Sequence, residues 1–201
     1  MGQRYFFVLV AVLFLAACER APTLPKLGPN DVIVAFGDSL TQGTGASDDT
    51  AYPAVLASLT GHTVINAGVP GDTTSSGLQR LPAVLDKYKP RLVLLCLGGN
   101  DMLHKEPAAA IENNLRLLVQ TIRASGADIV LIGVPQPNLF GGAPDFYARI
   151  AEDMRLPLEE DVFSDVLKDN RLKSDPIHAN AAGYRVVAER LAELLKESGA
   201  L

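Results

Sequence analysis

Four short apolar runs, residues 32–36, 63–66, 92–97 and 129–134, are each rich in branched side chains and are separated by stretches of helical periodicity. A strand buried on both faces reads as such an unbroken run, and parallel strands joined by helices are the arrangement that covers both faces. Leu78, Leu81, Leu85 and Tyr88 recur on one helical face. So do Ile111, Leu115, Leu118 and Ile122, and again Tyr184, Val187, Leu191 and Leu194. The alternation predicts a three-layer α/β/α domain around a central parallel sheet, with right-handed crossovers stacking helices on both faces. A weaker run at 156–158 supplies a fifth strand.

At 201 residues the chain suits one domain with a sizeable core. Residues 1–17 hold one charge, Arg4, then an apolar run from Tyr5 to Leu15, then Ala16-Ala17 before Cys18. The run falls short of the roughly 20 residues a membrane-spanning helix needs, so it reads as an export signal. The small residues before Cys18 resemble the lipobox of bacterial lipoproteins, which implies that Cys18 becomes the acylated first residue of the mature chain; a plain secretory leader is the alternative. Glu19 resembles an outer-membrane sorting residue, which implies the periplasmic face of that membrane. Residues 18–30 contain three prolines and no periodicity and read as a tether, leaving 31–201 as the folded domain.

Composition narrows the partners. The signal removes one of the 18 basic residues and none of the 23 acidic ones, leaving 17 against 23, a formal charge of −6. An acidic chain without a basic cluster argues against nucleic acid. With Cys18 taken by lipid, Cys96 inside an apolar run reads as a buried small hydrophobe.

In open α/β sheets, sites form beyond the carboxyl ends of the strands. Gly37-Asp38-Ser39 follows the first run, residues 68–72 the second, 98–101 the third and 135–142 the fourth. Ser39 reads as a nucleophile or as a helix cap. Neither a dinucleotide fingerprint nor a phosphate-loop lysine is present, and Thr41 stands where the Gly-x-Ser-x-Gly elbow needs its second glycine. His178 follows Asp175 by three residues, a spacing that lets the carboxylate reach Nδ1–H and leaves Nε2 for a hydroxyl; a cap at Asp175 is the alternative. His62 and His104 read as solvated loop residues, and no histidine pair has metal-ligand spacing. Asn100, after two glycines, offers an amide to an oxyanion or a left-handed turn. The loop at 66–72 offers a backbone N–H at a glycine.

Taken together, GDSLTQG at 37–43, NAGVPGDTT at 66–74, LGGNDM at 97–102 and DPIH at 175–178 resemble the four blocks of the SGNH or GDSL-like hydrolases. The likeness runs from Asp31 onward and is greatest to the group of small bacterial thioesterases, lysophospholipases and arylesterases. It implies a flavodoxin-like fold, Ser39 as nucleophile, His178 as general base and then acid, and Asp175 as its orienter. It also implies an oxyanion hole of the Ser39 and Gly71 N–H groups and the Asn100 amide, with Gly68 as the alternative to Gly71. No metal or cofactor is implied. The expected substrate is a small acyl ester or thioester handled by a monomer near a membrane. Carbohydrate O-deacetylation and a non-catalytic acyl- or glycan-binding lipoprotein are the other readings. The loop at 135–144 and the segment at 102–107 are expected to border the acyl pocket, and Asp38 and Asp101 to serve as hydrogen-bonding scaffold.

Overall fold

The computed structural model describes residues 22–137 and 141–201. The export signal expected at 1–17 and the acylation expected at Cys18 fall outside the described residues. Among the described residues, five parallel strands, β1 (Val32–Gly37), β2 (Thr63–Gly68), β3 (Leu92–Cys96), β4 (Asp128–Ile132) and β5 (Leu158–Glu159), form one sheet in the order β2-β1-β3-β4-β5. β1 and β3 are central, and Ile33, Phe36 and every residue of β3 are buried. β2 is an edge strand, so Thr63 and Asn66 are exposed and the expectation of cover on both faces fails there. β5 is shorter and later than the run at 156–158, because Leu156 packs into the core and pairing with β4 starts at Leu158.

Among the described residues, eight helices accompany the sheet: α1 (Ser39–Gln42), α2 (Tyr52–Thr60), α3 (Thr74–Tyr88), α4 (Gly99–Leu103), α5 (Ala108–Ala124), α6 (Phe146–Met154), α7 (Val162–Lys168) and α8 (Ala181–Glu197). α2, α7 and α8 pack together as one layer, and α3, α5 and α6 as the other. All four residues of the α5 face are buried. In α8 the buried seam runs Tyr184, Val187, Leu191 and then Leu195, with Leu194 half-buried, because a 3.6-residue turn carries the core stripe one position past a strict three-residue step.

The tether predicted over 18–30 is shorter at its domain end. Leu24 N–H donates to the Ser198 carbonyl at 2.7 Å and Leu27 N–H to that of Ala200 at 2.8 Å, and the Leu27 side chain is buried. The two leucines have apolar surface to bury, which a purely polar linker would lack. Among the described residues, no helix is long and apolar enough to cross a membrane.

The chain leaves β1 for β2 on one side and returns to β3 on the other. Gly37, the last residue of β1, therefore faces Gly68 of β2 and Cys96 of β3. The turns after these strands converge on one point, the switch position where ligands of such sheets bind.

Candidate active site

Asp38 follows β1 directly and caps α1. Its Oδ1 accepts the Leu40 N–H at 2.9 Å and its carbonyl accepts the Gln42 N–H at 2.9 Å. Ser39 is thus the first residue of a one-turn helix, with its side chain free of capping duty. Its backbone N–H has no protein partner among the described residues.

The segment carrying Asp175 and His178 folds back on itself through a bridge between Lys173 and Ala179, and Ser174 N–H donates to the His178 carbonyl at 2.9 Å. Asn180 then caps α8 by accepting the Gly183 N–H, and Tyr184 Oη donates to the Thr44 carbonyl at 2.8 Å, tying this segment to the turn after α1. As a result His178 Nε2 lies 2.9 Å from Ser39 Oγ, and Nδ1 lies 2.7 Å from Asp175 Oδ2. Asp175 Oδ1 accepts the N–H groups of Ile177 at 2.8 Å and His178 at 2.9 Å. Burial raises the Asp175 carboxyl, but the His178 ring and these two N–H groups outweigh it and hold the group below its ordinary value. With Asp175 held toward its ionised form, the tautomer that carries its proton on Nδ1 donates to Oδ2 and leaves Nε2 to accept from Ser39.

Asn100 sits in the first turn of α4, where Nδ2 donates to the Asp72 carbonyl at 2.8 Å and, over a longer 3.3 Å, to Asp38 Oδ2. Gly71 has φ +83°, which an L side chain rarely adopts, and its N–H has no protein partner among the described residues. Gly68 differs. Its N–H donates to Asn66 Oδ1 at 3.0 Å, and a Cβ there would meet the Gln42 nitrogen at 2.2 Å, so Gly68 lets the end of β2 approach the backbone of α1. Asp101 is buried and accepts the Thr74 N–H at 2.9 Å and hydroxyl at 2.6 Å, joining α4 to α3 as scaffold.

Asp38 is 2% exposed. Burial pushes its carboxyl from 3.8 up to about 7, opposed by the Leu40 N–H and helped by the negative charges of Asp72 and Asp101. A carboxyl raised in the folded state binds its proton more tightly there than in the unfolded chain, so its contribution to stability is greatest at acid pH and is lost as pH rises from 3.8 through about 7. Asp38→Asn removes this dependence. The stability of the variant relative to the natural protein, read from urea midpoints across that window, should rise with pH; a constant difference would contradict the assignment.

A cavity of about 340 Å³ opens beside Ser39, Asn100 and His178. Leu103 and Ile177 give it apolar wall, while Leu167, Lys168 and Lys173 come from α7 and the turn after it. Of the two segments expected to border it, 135–144 contributes Pro135, Gln136, Pro137 and Gly141, whereas 102–107 contributes Leu103 alone. The α7 wall is absent from the sequence reading. Its only signal is Val162, Val166 and Leu167 at helical spacing, too few turns to stand out. Of the other histidines, His104 is exposed as expected, but His62 is half-buried and its Nδ1 is buried with no hydrogen-bond partner among the described residues. Among the described residues Cys96 has no disulfide partner; it is fully buried, and burial pushes its thiol well above the ordinary range. Among the described residues, no group of three or more His, Cys, Asp or Glu is placed to hold a metal ion.

Residues 35–186 match the family model described as GDSL-like Lipase/Acylhydrolase. The chain is 32% identical over 199 residues to the thioesterase 1/protease 1/lysophospholipase L1 of Escherichia coli strain K12, a match covering 95% of this chain and 90% of that protein. It is also 32% identical over 199 residues to the arylesterase of Vibrio mimicus, covering 94% and 96%. Among solved structures, TesA superposes with a TM-score of 0.76 at 29% identity, over 84% of this chain and 99% of that one.

Proposed function

The chain belongs to the GDSL-like Lipase/Acylhydrolase family and is a carboxylic ester or thioester hydrolase, and from that premise we propose that it works through an acyl-enzyme on Ser39. The observation that carries the proposal is the unbroken chain of contacts Asp175 Oδ2 to His178 Nδ1 and His178 Nε2 to Ser39 Oγ. Ser39 Oγ attacks the substrate carbonyl as its proton passes to Nε2, and Asp175 steadies the imidazolium. The carbonyl oxygen becomes an oxyanion that takes hydrogen bonds from the Ser39 and Gly71 N–H groups and from Asn100 Nδ2. Both Asn100 amide hydrogens are engaged in the resting protein, so the oxyanion displaces the longer bond, the one to Asp38. A proton on Asp38 lowers the charge beside that oxyanion. Collapse breaks the bond to the alcohol or thiol, which leaves with the proton from Nε2. Water then repeats the sequence on acyl-Ser39, releasing the acid and restoring the serine.

With an ester of a chromophoric alcohol, rapid mixing should show a burst of about one alcohol per protein molecule when deacylation is the slower step. The steady rate should fall on acidification, because a protonated His178 cannot accept the serine proton. A rate level down to about pH 5 would remove His178 from the mechanism.

The apolar wall of Leu103, Val134, Leu167 and Ile177 suits an acyl chain better than an acetylated sugar, and Lys168 and Lys173 suit an anionic group on the same substrate. We therefore read the substrate as an amphiphilic acyl ester. A phosphate-bearing ester should show a higher kcat/KM than a neutral ester of the same acyl chain; equal values would leave the lysines without a role. Export and acylation at Cys18 belong to the same proposal. Incorporation of labelled palmitate that persists in Cys18→Ala would refute them.

A further inference from the structure

Arg80 lies two turns into α3 and reaches back to the site from a helix that contributes no atom to the proposed chemistry. Its Nε donates to Asp72 Oδ2 at 2.5 Å, its Nη2 donates to the Gly37 carbonyl at 2.9 Å, and its guanidinium lies over the Phe36 ring at 3.9 Å. Gly37 stands two residues before Ser39. The same Gly37 carbonyl accepts the Val69 N–H at 3.0 Å, from the loop that carries Gly71.

Asp72 is the other half of the junction. It follows Gly71 directly, its carbonyl accepts Asn100 Nδ2 at 2.8 Å, its Oδ1 accepts the Ser76 hydroxyl at 2.7 Å and its N–H donates to the Val69 carbonyl at 3.1 Å. The Arg80–Asp72 pair thus holds the turn after β1, the loop after β2 and the amide from α4, the three segments that supply the oxyanion donors.

Thermal stability is a poor account of this arrangement. The Arg80 side chain is 22% exposed and that of Asp72 8%, and a largely buried ion pair gives back in desolvation much of what it gains in attraction. What a planar guanidinium adds is fixed direction: two forked donors at a set angle, with one face flat on Phe36. Oxyanion stabilisation depends on donors preset to sub-ångström accuracy, so geometry of this kind acts on the rate.

We propose that Arg80 is a positioning residue for the oxyanion hole, fixing the Ser39 and Gly71 N–H groups and the Asn100 amide relative to one another through Gly37 and Asp72. The proposal rests on the oxyanion-hole reading given above.

The test is Arg80→Gln and Arg80→Lys in the full-length protein, assayed on an acyl ester with a boronic acid as tetrahedral mimic. Arg80→Gln should lower kcat about ten- to thirtyfold and leave KM within about twofold. Boronate affinity should fall in parallel, while the acid limb of the pH profile stays in place because His178 and Asp175 are untouched. Arg80→Lys keeps one contact and should recover part of the loss; it also serves if the Gln variant does not fold. A folded Arg80→Gln variant with unchanged kcat, or one whose loss lies in KM with boronate affinity intact, would overturn the proposal. Failure of the natural protein to react at Ser39 with a fluorophosphonate would overturn the hydrolase mechanism itself, a distinct result.

Discussion

Ser39→Ala should lower kcat on any acyl ester by about 10⁵- to 10⁶-fold while KM changes little. The size follows from how the residue is held. Oγ has one strong partner, His178 Nε2 at 2.9 Å, and that ring is fixed on its other side by Asp175 at 2.7 Å. Removing the hydroxyl deletes the nucleophile and leaves base and orienter with nothing to act on, so the three residues fail as a unit. His178→Ala should therefore cost nearly as much as Ser39→Ala, and the double variant should be scarcely slower than either. Multiplying losses in the double variant would show that the two act separately. Ser39 begins α1 without capping it, since Asp38 is the N-cap, so the fold should survive and circular dichroism should match the natural protein.

Asn100→Ala should lower kcat about a hundred- to a thousandfold, again with little change in KM. Two effects need separating here, because Nδ2 also bonds the Asp72 carbonyl and Asp38 Oδ2 in the resting protein. Losing these leaves a carbonyl unpaired and should cost about 1–3 kcal/mol of stability, which thermal unfolding will register. A stability loss of that size in a folded protein does not by itself slow turnover, whereas loss of an oxyanion donor does. An Asn100→Ala variant with lowered stability and natural kcat would make Asn100 scaffold alone. The predicted loss at Arg80 is smaller because that residue orients donors and contacts no reacting atom.

The central strands were legible because β1, β3 and β4 each carry uninterrupted apolar runs, Ile33 to Phe36 and Leu92 to Cys96 among them. The same signal misplaces β5, where only Leu158 and Glu159 pair at the sheet edge and Leu156 is apolar for the sake of core packing. The site blocks were legible for a local reason. Gly-Asp-Ser and Gly-Gly-Asn each place a polar side chain just after a strand, and Asp-x-x-His places two in the segment between α7 and α8, all within a few residues of the glycines or proline that shape the turn.

Arg80 was not legible, because its partner Gly37 lies 43 residues away and a charge on an amphipathic helix reads as a solvated face. Lys168 and Lys173 were hidden for the same reason: only the packing of α7 beside the His178 segment brings them to the cavity. The docking of Leu24 and Leu27 on the chain's last residues was masked by the prolines around them. In each case the missing information is a contact between segments far apart in sequence, which periodicity does not carry.

The most direct measurement is intact-mass analysis of the folded protein after exposure to a fluorophosphonate, with peptide mapping and Ser39→Ala in parallel. One adduct per chain is expected, on Ser39 and absent from the variant. A folded protein that takes no adduct, or takes it elsewhere with Ser39 unmodified, would contradict the account and point to a protein that binds acyl groups without cleaving them.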